Sequence, residues 1–248
     1  KKLSLMLETN GIKPFTLSID NYFVDREKTP KDENGKPDYE SIYALNIELL
    51  NENLVKLMKG EKVRLPRYDF FTGKSTLSNE ETSLKRNQMI IIEGIHCLND
   101  ELTPFIPREE KFKIYVSALT QMNIDDNNRI PTTDNRILRR MVRDYKYRGH
   151  SAKKTFQMWP LVRNGEEKYI FPFQNEADGY FNSSLDYELA VLKPYAEPIL
   201  MQIKPYDEEY ADAIRLLKFL NYFLSVPSKN VPSTSILREF IGGSFFDY

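Results

Sequence analysis

The run Met89-Ile90-Ile91-Ile92, closed by Glu93-Gly94, constrains the fold more than any other stretch of the chain. An unbroken apolar segment has no polar face to turn to water, so it reads as a strand buried on both faces of a parallel sheet. Phe15-Thr16-Leu17-Ser18-Ile19 and Phe112-Lys113-Ile114-Tyr115-Val116 read as further strands, and Ile199 to Ile203 as a last one. Helical patterns lie between them. Leu3 to Thr9 ends at Asn10-Gly11, and Ile42 to Met58 carries Leu45, Leu49, Leu50, Leu54 and Leu57 at core spacing. A basic helix over about Asp134 to Tyr147 stops at Gly149, and a final helix spans Glu208 to Leu224. Val63 to Phe71 and Ser75-Thr76-Leu77 fit a small β-hairpin turning at Thr72-Gly73, and the polar stretch Arg26 to Asp38 fits a loop. Strands alternating with helices imply an α/β fold with a doubly wound parallel sheet.

Composition narrows the chemistry. Among 248 residues, 41% are hydrophobic and 29% charged, which suits a globular core. Cys97 is the single cysteine, and His96 and His150 are the two histidines, so disulfides and zinc clusters are excluded. A net charge of -1 removes a global case for nucleic-acid binding. No apolar run approaches the roughly 20 residues that span a bilayer, and no signal peptide is legible, so no membrane partner and a cytoplasmic location are expected. The chain opens without Met on the amphipathic pattern Leu3, Leu5, Met6, Leu7, as though a segment preceded it.

Asp20-Asn21-Tyr22-Phe23 follows the first strand and Glu93 closes the Ile-rich one. Open α/β sheets bind ligands at the carboxyl ends of their strands. There Asp20 could take a proton from an attacking hydroxyl, and Glu93 could hold Mg²⁺ or its waters beside nucleotide phosphates. An Asx turn and a solvated strand end are the plain alternatives. Gly73-Lys74-Ser75 imitates the end of a phosphate loop, but Tyr68 stands where that pattern needs its first glycine and no helix follows, so it reads as a hairpin turn. From Arg136 to Lys154, Arg136, Arg139, Arg140, Arg143, Lys146, Arg148, Lys153 and Lys154 are met by one acid, Asp144, and oppose an apolar stripe. Arginine suits bidentate binding of phosphate oxygens, with RNA as the competing partner. His150 adjoins that face and could touch substrate, whereas His96 reads as a structural histidine. Trp159, Phe171 and Phe173 read as core.

In order, Ser18-Ile19-Asp20-Asn21-Tyr22-Phe23, Leu65-Pro66-Arg67-Tyr68-Asp69-Phe70, Ile90-Ile91-Ile92-Glu93-Gly94-Ile95 and Arg139-Arg140-Met141-Val142-Arg143-Asp144 leading to Arg148-Gly149 resemble the uridine kinase branch of the phosphoribulokinase/uridine kinase family. The resemblance runs well from about Thr16 to His150 and more weakly to Ile203. It implies a P-loop kinase using ATP and Mg²⁺ to phosphorylate the 5′-hydroxyl of a uridine- or cytidine-like nucleoside. Asp20 matches the catalytic aspartate and Glu93 the metal-associated carboxylate. Glu40 falls where an aspartate binds ribose hydroxyls, Tyr68 matches an aromatic residue of the nucleoside pocket, and the pair Tyr68 and Phe70 favours a nucleobase. Arg140, Arg143 and Arg148 match lid arginines that meet the substrate and the ATP phosphates, Arg143 near the transferring group.

The departures concern the base. A phenylalanine-aspartate-histidine-proline run reads Tyr39-Glu40-Ser41-Ile42, a histidine of the pyrimidine pocket is replaced near Gly73, and the second lid arginine is His150. The expected organisation is a kinase domain over 1–206, with a hairpin at about 62–78 and a lid at about 132–158, then a helical extension over 207–248. The phosphate loop and first strand are expected upstream of Lys1, together with a domain similar to one in threonyl-tRNA synthetases, so the 248 residues alone are expected to bind ATP poorly and to be inactive. A homo-oligomer is compatible with the sequence. A non-catalytic nucleotide- or RNA-binding regulatory module and a sugar-phosphate kinase are the alternatives.

Overall fold

A computed structural model describes residues 1–32 and 35–246. Positions 33–34 of the expected loop and positions 247–248 of the expected extension lie outside the described residues. The chain forms two compact units, Lys1–Tyr115 with Asn164–Gly179 and Val116–Arg163 with Tyr180–Tyr248.

In the first unit, α1 (Lys2–Thr9) leads through Gly11, at φ 79°, into β1 (Lys13–Ser18). Strands β2 (Pro66–Asp69) and β3 (Lys74–Leu77) form the antiparallel hairpin, turning through Gly73 at φ 71°. Strand β4 (Gln88–Glu93) pairs with β1 in parallel, in a register running from Lys13 opposite Gln88 to Ser18 opposite Glu93. The Ile run of β4 is half-buried, and Met89 is exposed. Both faces were expected to be covered, but β1 is the one strand that pairs with β4 among the described residues. Parallel pairing is therefore present, while a wider doubly wound sheet is not, because the described strands pair off as β1-β4, β2-β3 and β5-β6.

Helix α2 (Ile47–Met58) begins later than the apolar spacing predicts. Ile42–Ala44 is a 3-10 turn instead, and the Asn46 side chain accepts the Leu49 N–H at 3.0 Å, which caps the first turn of the helix. Leu50, Leu54 and Leu57 are buried along α2. Leu50 and Leu54 pack with Leu17, Ile19, Tyr22, Ile42, Leu45, Leu102 and Ile106 into the core of this unit.

The chain crosses between the units within β5 (Ile114–Ser117) and β6 (Gly179–Asn182). The second unit is helical: α3 (Thr132–Arg148), α4 (Ala152–Tyr169, which ends in the first unit), α5 (Glu188–Leu200), α6 (Tyr210–Leu220) and the short α7 (Arg238–Ile241). The strand expected over Ile199 to Ile203 is absent. Ile199 and Leu200 instead finish α5, whose buried Leu189, Leu192, Ala196 and Ile199 recur at helical spacing. Pro194 and Pro198 inside α5 disguised it, since proline lacks the N–H that a helix interior uses. The segment after 206 packs into this unit's core through Ala213, Leu216, Phe219, Leu220, Phe240 and Ile241.

Helix α3 buries Ile137, Leu138, Met141 and Val142 and ends at Gly149, in the left-handed region at φ 65°. Replacing fully buried Leu138 by Ala should cost about 2–5 kcal/mol. Chemical denaturation should show this as a lower midpoint with an unchanged slope; an unaltered midpoint would mean that the α3 stripe is not core.

Candidate active site

Asp20 lies in the 3-10 turn Ile19–Tyr22, directly after β1, and is exposed. The parallel register sets Ser18 opposite Glu93, so the two chains leave the sheet side by side. They are pressed together there. A Cβ on Gly94 would lie 2.1 Å from Ile19 Cγ1, so only glycine lets β4 end against buried Ile19. The Cys97 thiol reports on both carboxylates. Burial first, then the charges of Glu93 and Asp20, push it up to about 12, because a thiolate there would be desolvated and repelled. Asp20 and Glu93 thus stand at neighbouring strand ends, each close enough to Cys97 to act on its thiol.

The hairpin packs against the turn that carries Asp20. Tyr68 is buried, whereas Phe70 is 60% exposed. With Phe23, three residues beyond Asp20, they form a nest: ring centroids are 5.4 Å apart for Phe23 and Tyr68, 6.0 Å for Phe23 and Phe70, and 5.0 Å for Tyr68 and Phe70. Edge-to-face and tilted contacts of this kind leave an aromatic face available for stacking. Lys74, at the false phosphate-loop position, pairs with Glu27 at 3.1 Å.

Glu40 is half-buried, and part of its surroundings comes from α4. A Cβ on Gly165 in α4 would lie 3.1 Å from Glu40 Cγ and 3.2 Å from its Oε2. Tyr169, on the same helix, donates to Asp38 at 2.9 Å and meets the His96 ring edge-on at 5.5 Å. His96 is buried and hydrogen-bonded to the Glu40 backbone. Burial drives its pKa down to about 4, against smaller opposing effects of that bond and of Asp38, so the ring is neutral near neutral pH. His96 is thus structural, as its sequence position suggested. Nothing near Glu40 in sequence announces Gly165 or Tyr169.

The arginines of α3 belong to the second unit and converge on one acid. Asp144 is fully buried. Its carboxylate lies 3.3 Å from Arg140 Nε, 3.0 Å from Arg143 Nε, 3.3 Å from Arg148 Nη1 and 3.9 Å from His150 Nδ1. Its carbonyl accepts the His150 N–H at 3.1 Å. Arg143 also approaches Glu239 at 3.8 Å. Arg139, counted in sequence as part of the same basic face, is buried and bonded to Glu188 and to the Ser183 carbonyl. The remainder, half-buried Arg140 and Arg143 and exposed Arg148, is a cluster of guanidinium groups around a buried carboxylate.

The sequence model of the "Phosphoribulokinase / Uridine kinase family" matches residues 7–190. The chain belongs to this family of kinases. It is 30% identical over 175 residues to proteins named uridine kinase from Staphylococcus aureus strains JH9 and Newman, covering 70% of this chain and 76% of each relative. A solved structure described as a possible uridine kinase from Bacillus stearothermophilus is 21% identical, covering 73% of this chain and 78% of that one, with a TM-score of 0.44. Among the described residues no helix is long and apolar enough to cross a membrane.

The buried His96 gives the fold a pH dependence of known sign. Its folded pKa is below the unfolded 6.5, so the unfolded chain binds the extra proton and stability is lost as pH falls from about 6.5 towards about 4. Between about pH 7 and about pH 4.5 this group should account for about 2 kcal/mol. Urea denaturation of the parent and of His96→Asn should differ in pH slope over that window; identical slopes would contradict a buried neutral ring.

Proposed function

We propose that this chain carries the acceptor side of an ATP-dependent nucleoside kinase. The observation that supports the reading is the placement of Asp20 and Glu93 at the carboxyl ends of paired parallel strands, with the hairpin of the aromatic nest packed on the Asp20 turn. Asp20 accepts the proton of the nucleoside 5′-hydroxyl as its oxygen attacks the γ-phosphorus of ATP and the bond to the β,γ-bridging oxygen breaks to release ADP, so no alkoxide need form free in water. Tyr68 and Phe70 stack the base, Glu40 accepts from the ribose hydroxyls, and His150 and Arg140 contact substrate. Arg143 and Arg148 bind phosphate oxygens, and Arg143 neutralises charge that builds on the transferring group.

Among the described residues no three His, Cys, Asp or Glu side chains cluster as a metal cage. Mg²⁺ is commonly held by one or two carboxylates with phosphate oxygens and water, and exposed Glu93 offers such a ligand. When bound, the ion would neutralise charge on the β- and γ-phosphates. Asp20 and Glu93 are thereby assigned different work at one place. The acid nearer the hydroxyl moves a proton, and the acid closing the Ile run holds the ion.

The test is phosphoryl transfer from ATP to a panel of nucleosides and sugar phosphates, using the protein encoded by the full gene. Asp20→Asn should lower kcat about 10²–10⁴-fold with little change in KM for the nucleoside. Arg143→Ala should cost roughly 10³-fold. Undiminished turnover in Asp20→Asn would sink the assignment of the base. Nucleic-acid binding with a steep salt dependence and no ATP consumption would replace the kinase reading altogether.

A further inference from the structure

The turn between β2 and β3 is held by a cation from another part of the chain. Arg26 begins the 3-10 turn Arg26–Lys28, and its backbone N–H donates to the Gly73 carbonyl at 2.9 Å. Its Nη2 donates to the Phe70 carbonyl at 2.8 Å. Between these two bonds the side chain lies flat on Gly73. A Cβ at that position would be 2.6 Å from Arg26 Nε and 2.8 Å from its Cζ. Gly73 is thus required twice, for its φ of 71° and for the room that the guanidinium occupies.

The neighbouring contacts make this turn rigid. Asp69 Oδ1 accepts the N–H groups of Phe71 at 2.8 Å and Thr72 at 3.2 Å. Asp25 Oδ1 accepts the Ser75 N–H at 3.0 Å. A long exposed side chain ordinarily samples many rotamers, and ordering it has an entropic cost. Here the backbone fixes the arginine at both ends. Its guanidinium is bonded to the residue whose ring forms the open wall of the aromatic nest, Phe70. Among the described residues no carboxylate forms an ion pair with Arg26, so its charge is not neutralised by the protein.

We propose that Arg26 is a specificity-determining residue that selects nucleosides whose base presents hydrogen-bond acceptors at its outer edge. A guanidinium has five N–H donors and no acceptor, and one donor is spent on Phe70. In this proposal the donors that Phe70 leaves free are the ones a base stacked on the nest would meet. Oxo-bases such as uracil and guanine offer carbonyl oxygen to them; amino-bases such as cytosine and adenine turn an N–H₂ donor towards them and leave both partners unsatisfied. This inference rests on the nucleoside reading above and narrows its substrate class.

A purely structural pin is the competing role for Arg26, and the two roles predict different patterns. Binding of uridine, guanosine, cytidine and adenosine should be measured by calorimetry on the protein encoded by the full gene, on Arg26→Ala and on Arg26→Lys, with melting temperature recorded for each. The parent should favour the oxo-nucleosides by about tenfold or more. Arg26→Ala should weaken uridine and guanosine by that factor while leaving cytidine and adenosine nearly unchanged, so the preference collapses. Arg26→Lys, which keeps the charge but loses the fork, should fall between. Equal weakening of all four nucleosides, or a preference that survives Arg26→Ala, overturns the proposal alone. No binding of any of the four by the parent overturns the nucleoside reading, and this proposal with it.

Discussion

The parallel register of β1 on β4 is the constraint on which the candidate site depends. Ser18 opposite Glu93 brings two chain segments off the sheet together, and Gly94 lets them approach until a methyl group could not fit against Ile19. A slip of one residue would turn every side chain of β1 to the other face, taking Leu17 out of the core and Asp20 away from Glu93. The aromatic nest hangs from the same point. Phe23 follows the Asp20 turn, and the hairpin that carries Tyr68 and Phe70 packs on that turn. Glu93 is placed by backbone pairing, and Asp20 by the turn that directly follows the paired strand. Sites supported in this way hold their geometry better than sites built on loops alone.

Much of this was legible because it rests on local rules. The glycine after the Ile run, the Thr72-Gly73 turn and the Gly149 helix stop are each short patterns with one physical reading, and each stands where that reading puts it; the Ile run is the parallel strand expected of it, but only half-buried. Glu93 and Asp20 were legible for the same reason, since a carboxylate at a strand's end is visible in a single sequence. The long-range contacts were not. Gly165 and Tyr169 shape the surroundings of Glu40 from more than a hundred positions away, with no local pattern to connect them. Arg26 lay in a polar stretch read as loop, and no periodicity connects it with Gly73. Two prolines concealed α5 because local propensity argues against a helix that tertiary burial of Leu189, Leu192 and Ala196 stabilises. Arg139 was misplaced among exposed arginines because its partner, Glu188, is distant in sequence.

The basic helix shows how burial sorts like residues into different roles. Arg139 is enclosed with Glu188, and an enclosed ion pair is costly to break because either partner left alone is a desolvated charge. Arg140, Arg143 and Arg148 gather on the buried carboxylate of Asp144, and Arg143 also approaches Glu239. A shared acid orients several guanidinium groups at once. Such a cluster suits a polyanion better than freely moving surface arginines would, because less side-chain freedom remains to be lost on binding. In this chain the groups suited to phosphate are concentrated on α3, while those suited to a hydroxyl and a base surround the end of β1.

Whether Asp20 and Glu93 serve the same phosphoryl transfer is decided by a double-mutant cycle on that reaction. The cycle compares the parent with Asp20→Asn, Glu93→Gln and the double variant. Groups that act as a unit lose most of their effect with the first substitution, so the combined loss should be little larger than the greater single loss. Two losses that multiply as independent factors would contradict a common role.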